Sequence, residues 1–395
     1  MTRGKLVLAF SGGLDTQVAL HWLREDQGWD IVAYVVDVGQ PDVEAASAMA
    51  EMLGVPVQVV DCKDEFARDY VFAATRANAV YHGQYLMGPS LGRPLIAARQ
   101  VEFARHLDAQ AVGHGATGHG NDQVRFELAY AALAPELEVV APWRFWPFTG
   151  RSDLLKYARQ HDLPVGAQGN RRPFSIDESL VHTSYAGEAL EDPAQPPPEG
   201  LMHRVADSRV AARLEPQDVT VEFEKGNPVG VDGRSAAPAA LIEELNRIGA
   251  RHGIGRLDLV EDRVFGLKTR NLYEQPAATM LWHAHRAVES ITMDGEVIQL
   301  REEFVPRYAR LVYCGLWHSP ERRVLQAAVD ESNETVTGSA TLRVHAGGIQ
   351  VVARRAPSSL YQQDLASFDE DTELLPMSAA SGWMSVESLR LRARA

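Results

Sequence analysis

Apolar positions recur with two different periods along the first 160 residues. Lys5 to Phe10 is a short apolar run with β-branched character, closed by Ser-Gly-Gly. Behind it, Val18, Leu20, Trp22 and Leu23 fit a short, heavily buried helix. Ile31 to Val38 is nearly continuous apolar sequence, the pattern of a strand covered on both faces. Asp42 to Leu53 reads as a helix and Val55 to Val60 as a third strand. Arg93 to Leu107 is an amphipathic helix entered beside Pro94, a good first-turn residue. Ala109 to Gly113 is a fourth strand, Asp122 to Leu133 a helix and Leu137 to Pro142 a fifth strand. This alternation predicts an α/β unit with a doubly wound parallel sheet. Such sheets bind ligands at the carboxyl ends of their strands.

The pattern then changes. Pro193 to Gly200 (PAQPPPEG) is a stiff, exposed connection. Val219, Val221 and Phe223 alternate with polar residues as in a strand. Leu241, Ile242, Leu245 and Ile248 mark one face of a helix ending near Gly253. Gln275 to Ile291 is a second long helix, and Thr341 to Val352 reads as a hairpin around Ala346-Gly347-Gly348. This half is α+β. The tail from about Gln363 carries Leu389, Leu391 and four arginines without a partner in its own segment, so it either frays or docks on another subunit. The tryptophans are most simply core.

Composition narrows the class. The 395 residues are 45% apolar and 23% charged, a globular mix large enough for two or three domains. No apolar run approaches the ~20 residues of a spanning helix. The N-terminal run is too short for a signal-peptide core. Two cysteines, Cys62 and Cys314, make neither a disulfide framework nor a cysteine-rich zinc site, which fits the reducing cytoplasm. The net charge of −14 argues against a broad nucleic-acid surface. A phosphate site must therefore be local.

Ser11-Gly12-Gly13-Leu14-Asp15-Thr16-Gln17 has the form of such a site. It follows a strand and opens a helix, so backbone amides and the helix N-terminus face an anion. Ser11 and Thr16 add hydroxyls, and Asp15 makes sense there as a cap or through a metal ion. The loop has neither the Walker Gly-Lys-Ser/Thr nor the dinucleotide Gly-x-Gly-x-x-Gly pattern. Gly115, Gly118 and Gly120 form an open loop after strand four, ending in Asn121-Asp122 at a helix start. With Arg125 one turn along, Asp122 suits the ammonium and Arg125 the carboxylate of an amino-acid zwitterion. His114 and His119 have metal-like spacing but no third soft ligand nearby, so no metal site is expected of them.

Ser-Gly-Gly-x-Asp resembles the pyrophosphate loop of N-type ATP pyrophosphatases. Ala9-Phe10-Ser-Gly-Gly-Leu-Asp-Thr, the stretch His114 to Glu127, Ala141-Pro142-Trp143-Arg144, Ser175-Ile176-Asp177-Glu178 and Ser358-Ser359-Leu360-Tyr361 together resemble argininosuccinate synthase, from about residue 5 to 392. The resemblance implies a nucleotide-binding domain over 1–165, an α+β synthetase domain over 166–362 and a C-terminal oligomerisation arm over 363–395, assembled as a homotetramer. It implies ATP, with Mg²⁺ spreading phosphate charge. It places nucleotide contacts at Ala9, Phe10, Ser11, Gly12, Gly13, Leu14, Asp15, Thr16, Gln17, Ala33 and Gly115. Aspartate contacts fall at Thr117, Asn121 and Asp122. Citrulline contacts fall at Tyr85, Ser90, Asn121, Arg125, Ser175, Ser184, Glu261 and Tyr273. Asp15, Asp122 and Arg125 are the catalytic candidates. Read without the resemblance, the two tyrosines are ordinary packing and the three serines turn chemistry. The implied reaction adenylates the ureido oxygen of citrulline and then displaces AMP with the amine of aspartate, giving argininosuccinate for arginine biosynthesis.

Five positions depart from the family pattern: Gln17 for Ser, Pro89 for Thr, His119 for Lys, Ser179 for Asn and Asn271 for Gly. Four lie on ligand loops. They also allow a paralogue that adenylates a related ureido substrate or uses a different amine. A tRNA-modifying or amidotransferase-linked relative would need a basic RNA-binding region or a glutaminase domain, and neither is visible. A non-catalytic nucleotide-binding protein is favoured only by Gln17, Pro89 and His119.

Overall fold

A computed structural model of the protein describes residues 3–118, 120–164, 174–363, 366, 376 and 378–393. Strands β1 (Gly4–Ala9), β2 (Trp29–Asp37), β3 (Val57–Asp61), β4 (Ala111–Gly113) and β5 (Glu138–Val140) form a parallel sheet in the order β3-β2-β1-β4-β5. Leu6 and Leu8 pack on one face with residues of helices Leu14–Glu25 and Arg151–Gln160. Val7 joins the other face with residues of helices Gly88–His106 and Asn121–Leu133. All three are fully buried, and each contributes roughly 1.5–3 kcal/mol of burial. The continuous apolar pattern of the strands follows from this two-sided cover.

Strand β1 lies between β2 and β4. The chain therefore leaves the carboxyl ends of β1 and β4 toward opposite sides, and a crevice opens between Ala9 and Gly113. The glycine loop and the Gly115–Gly120 loop both start there.

The helix predicted to begin at Arg93 begins at Gly88 instead, and Pro94 lies inside it. The first-turn proline is Pro89, placed where a helix has no use for a backbone N–H. Pro94 costs one interior rung, while the flanking turns are held by buried Leu91, Leu95 and Ala97. Gly88 itself lies against the ring of His182: a Cβ there would fall 2.1 Å from its Nδ1.

The second half contains two antiparallel sheets. Gln217–Glu224, Asn227–Val231, Arg234–Ser235, Gly338–His345 and Gly348–Arg355 form one. Helices Pro238–Arg251 and Pro276–Thr292 share its core. The predicted hairpin turns at Ala346 and Gly347, both with positive φ (48° and 84°), as a two-residue turn with a right-handed twist requires. The other sheet runs Arg256–Asp262, Lys268–Glu274, Thr183–Ala186, Ser175–Glu178. One buried apolar cluster continues from the parallel sheet into this half, from Val7 and Leu91 to Tyr273 and Leu342.

Trp22, Trp29, Trp146 and Trp317 are core, but Trp383 is 71% exposed. It sits on helix Ala379–Arg392, which buries none of its residues and presents Met384, Val386, Leu389 and Leu391 outward. No helix among the described residues is long and apolar enough to cross a membrane.

Candidate active site

A cleft of about 790 Å³ lies between the carboxyl end of the parallel sheet and the Ser175–Asp177, Ser184, Glu261 and Asn271–Tyr273 positions of the smaller antiparallel sheet. On its nucleotide side, Gly13 precedes helix Leu14–Glu25 without a side-chain cap. Its carbonyl accepts the Thr16 hydroxyl (3.1 Å), and Ser11 Oγ lies 3.2 Å from Thr16 Oγ1. Gln17 Nε2 donates to the carbonyl of Gly12 at 2.7 Å and braces the loop from behind. Gly12 holds φ +71°, and a Cβ there would sit 2.9 Å from Ala46 Cα. A Cβ on Gly115 would meet Thr16 Cγ2 at 2.7 Å, so the two loops touch only because that position is bare. Burial pushes the Asp15 carboxyl above its usual range, against the opposing pull of Arg151.

Beside this loop runs a chain of alternating charges. Arg93 donates from Nε to Asp122 Oδ2 (3.0 Å), and its Nη2 lies 2.7 Å from Asp177 Oδ2. Arg125 Nη1 donates to Asp122 Oδ1 at 2.9 Å, while its Nε and Nη2 donate to the carbonyl of Tyr313. Both oxygens of Asp122 are thus fixed from opposite sides. Burial alone would lower the Arg93 pKa, but Asp122 and Asp177 outweigh it and raise it above its usual range. Burial likewise opposes ionisation of Asp177, and Arg93 with His182 more than reverses it. The Asn121 side chain donates to the Tyr313 hydroxyl (3.0 Å) and accepts from the Val264 N–H (2.9 Å), joining the two halves of the cleft.

The far end is aromatic. Tyr85 stacks on Tyr273 at 4.0 Å, Tyr81 on Tyr313 at 3.7 Å, and Tyr85 meets Tyr313 edge-on at 6.3 Å. Burial raises the Tyr85, Tyr273 and Tyr313 hydroxyls well above their usual range, so they remain donors.

At the mouth of β4, Ala116 N–H donates to His114 Nδ1 (3.2 Å), which leaves the proton on Nε2, 3.2 Å from Glu127 Oε1. Burial, and Arg144 beyond Glu127, push the His114 pKa down to about 4. A histidine depressed in the folded state protonates first in the unfolded chain. His114 therefore costs nothing above pH ~6.5 and destabilises increasingly as pH falls from ~6.5 toward 4, by roughly 3 kcal/mol at the limit. His114→Asn should accordingly gain stability relative to the unsubstituted protein between pH 7.5 and 4.5 in urea unfolding. A stability difference independent of pH would contradict this.

Most of the residues expected at the site do meet there. Ala9, Phe10, Ser11, Gly13, Asp15, Thr16, Tyr85, Gly115, Thr117, Asn121, Asp122, Arg125, Ser175, Ser184, Glu261 and Tyr273 line the cleft, as does Pro89. Five others lie off its wall. Leu14 and Ala33 are packed in the core, Gly12 faces Ala46, Gln17 braces the loop, and Ser90 is fully buried with its hydroxyl unpaired among the described residues. Ser179 lies behind the wall, its Oγ 2.7 Å from His182 Nδ1. His119 lies outside the described residues. Arg93, Asp177 and Tyr313 also line the cleft, beyond the contacts that the resemblance implies. Arg93 left one signal: a guanidinium among Leu91, Pro94, Leu95 and Ile96 in the first half of its helix. Tyr313 ends helix Gly295–Tyr313 and left none.

A parallel sheet with a glycine loop at its switch point faces a cleft lined by Arg93, Asp122, Arg125 and Asp177, the architecture of a nucleotide-binding α/β enzyme. The N-terminal HUP domain of arginosuccinate synthase matches residues 5–164, and the C-terminal domain of the same enzyme matches residues 174–394. Argininosuccinate synthase of Rhodospirillum rubrum is 48% identical over 391 residues, 98% of this chain and 96% of that protein. Argininosuccinate synthase 1 of Rhizobium johnstonii is 49% identical over 98% of this chain and 97% of its own length. The chain belongs to the argininosuccinate synthase family, ligases that join citrulline to aspartate with ATP in arginine biosynthesis. Relatives of that name match along nearly the whole chain, and this does not favour the paralogue reading.

Proposed function

We propose that this cleft performs the ligation in two displacements. The ureido oxygen of citrulline attacks the α-phosphorus of ATP; the bond to the β-phosphate oxygen breaks and pyrophosphate leaves. The aspartate ammonium then gives up two protons to solvent or phosphate oxygen as its nitrogen attacks the ureido carbon, the carbon–oxygen bond breaks, and AMP departs with the former ureido oxygen. The carrying observation is that one cavity is lined by the glycine loop, the Asp122–Arg125 pair and the Tyr85–Glu261–Tyr273 end. Ser11, Gly13 and Thr16 hold the departing pyrophosphate at a helix N-terminus. Thr117, Asn121 and Asp122 hold aspartate, with Asp122 directing the ammonium. Arg125 and Asn121 meet citrulline with Tyr85, Ser175, Ser184, Glu261 and Tyr273. Ser90, Gln17, Leu14, Gly12 and Ala33 support these contacts from behind. No covalent enzyme intermediate is needed, and positioning with charge stabilisation carries the rate.

Among the described residues no cluster of three acidic, His or Cys side chains forms a metal cage. Asp15 with the Ser11 and Thr16 hydroxyls is instead a hard-oxygen set that fits Mg²⁺ arriving on the nucleotide. Bound there, the ion would neutralise phosphate charge.

Citrulline labelled with ¹⁸O in its ureido group should yield ¹⁸O-AMP and pyrophosphate when ATP and aspartate are present. AMP without label, or no AMP at all, refutes the reading.

The same reading divides the chain at 1–165, 166–362 and 363–395, places the enzyme in the cytoplasm and makes it a homotetramer. The support for an arm is the row of exposed apolar side chains on helix Ala379–Arg392. Truncation after Gln363 should lower the mass seen by light scattering; an unchanged mass counts against assembly through this arm.

A further inference from the structure

We infer that Asn271 is a specificity-determining residue that fixes Glu261 as the receptor for the α-ammonium of the ureido substrate. This rests on the reading of the cleft as a citrulline site. Glu261 and Asn271 lie on adjacent antiparallel strands, with Glu261 opposite Thr269 and Asn271 one same-face position further on. Asn271 Nδ2 donates to Glu261 Oε1 at 2.7 Å, and the Tyr273 hydroxyl donates to the same oxygen. Two donors converging on one oxygen hold the carboxylate in a single orientation. The other oxygen, Oε2, is buried and has no partner among the described residues, although Glu261 lines the cleft and is only 1% exposed.

A buried carboxylate oxygen without a donor costs free energy until something donates to it. The surroundings say what the donor is. Tyr85, Tyr273 and Tyr313 wall this end of the cleft, and a carboxylate oxygen set among their rings suits an ammonium group. Arg125 flanks the same tyrosines, its guanidinium 5.2 Å from the Tyr313 ring centroid. Two of its five N–H groups remain uncommitted after the bonds to Asp122 and Tyr313, and these suit the carboxylate of the same substrate.

A glycine at position 271, as in the family pattern, leaves the Tyr273 hydroxyl as the donor to Oε1, and the carboxylate can turn about that single bond to offer either oxygen to the ammonium. Asn271 removes that choice. It makes recognition depend on a single oriented oxygen and so sharpens discrimination against substrates without the ammonium.

The test compares binding of citrulline and of 5-ureidopentanoate, which is citrulline without its α-ammonium. Titration calorimetry is run with an α,β-methylene ATP analogue present, using the unsubstituted protein, N271G and N271L. N271L keeps bulk but cannot donate. In both variants citrulline affinity should fall roughly tenfold, as for a lost hydrogen bond to a charged group. Affinity for 5-ureidopentanoate should change less than about twofold on the same argument. Equal losses for the two ligands, loss in N271G but not N271L, or no loss in either would each overturn the inference. Because binding is read without turnover, a protein that shows the selective loss yet fails to form AMP would refute the proposed reaction and leave the role of Asn271 standing.

Discussion

Replacing Asp122 with Asn is expected to lower kcat/KM for aspartate by a factor on the order of 10²–10³, the usual penalty for removing one oriented electrostatic partner from an active site. The first displacement should be largely spared. Asp122 accepts from Arg93 through one oxygen and from Arg125 through the other. In the variant, Arg125 keeps two bonds to the Tyr313 carbonyl and Arg93 keeps Asp177. The wall therefore stays in place while the group that aims the ammonium is neutralised. Exchange of labelled pyrophosphate into ATP with citrulline alone reads the first step separately. If exchange and aspartate-dependent turnover fall together, Asp122 organises the whole cleft and the assignment to aspartate is wrong. A stability loss of about 1–3 kcal/mol accompanies the change, because two partly buried guanidinium groups each lose a charged acceptor.

Gly12→Ala is the second large effect. Alanine at φ +71° costs about 1–2 kcal/mol. Its Cβ would also lie 2.9 Å from Ala46 Cα, a backbone atom that no rotamer change moves away. The loop must shift, which strains the Gln17 brace and displaces the first-turn amides from the crevice. ATP affinity by calorimetry should drop about 100-fold, the scale of a 1 Å misplacement in a preorganised site. Gly54→Ala is the control. Gly54 has a similar φ of +70° but nothing within 4 Å of its Cβ position, so it should lose stability without losing ATP. Equal nucleotide binding in both variants would remove the glycine loop from the phosphate site.

Neighbouring departures are connected in space. Ser179 bonds His182, the His182 ring lies on Gly88, and Gly88 precedes Pro89 at the start of the helix that carries Arg93. Gln17 likewise supports the loop through Gly12 and does not line the cleft. Substitutions at Gln17 and Ser179 therefore act on the packing behind the wall, while Pro89 and Asn271 line it.

The sequence by itself determined the parallel sheet, the glycine loop at the end of β1 and the Asn121-Asp122-Arg125 cluster. Each of these is encoded by neighbours along the chain: buried strands by continuous apolar runs, the loop by adjacent glycines, the cluster by one helical turn. Only the tertiary structure decided that Arg93 bridges Asp122 and Asp177, that Tyr313 carries Arg125, and that Asn271 and Tyr273 share one oxygen of Glu261. It also decided that position 88 must be bare, because His182, almost a hundred residues away and just before strand Thr183–Ala186, lies against it. Periodicity and turn chemistry report local backbone preference. Which side chain completes a distant carboxylate's hydrogen bonds depends on how separately specified elements pack, and no spacing along the chain records that.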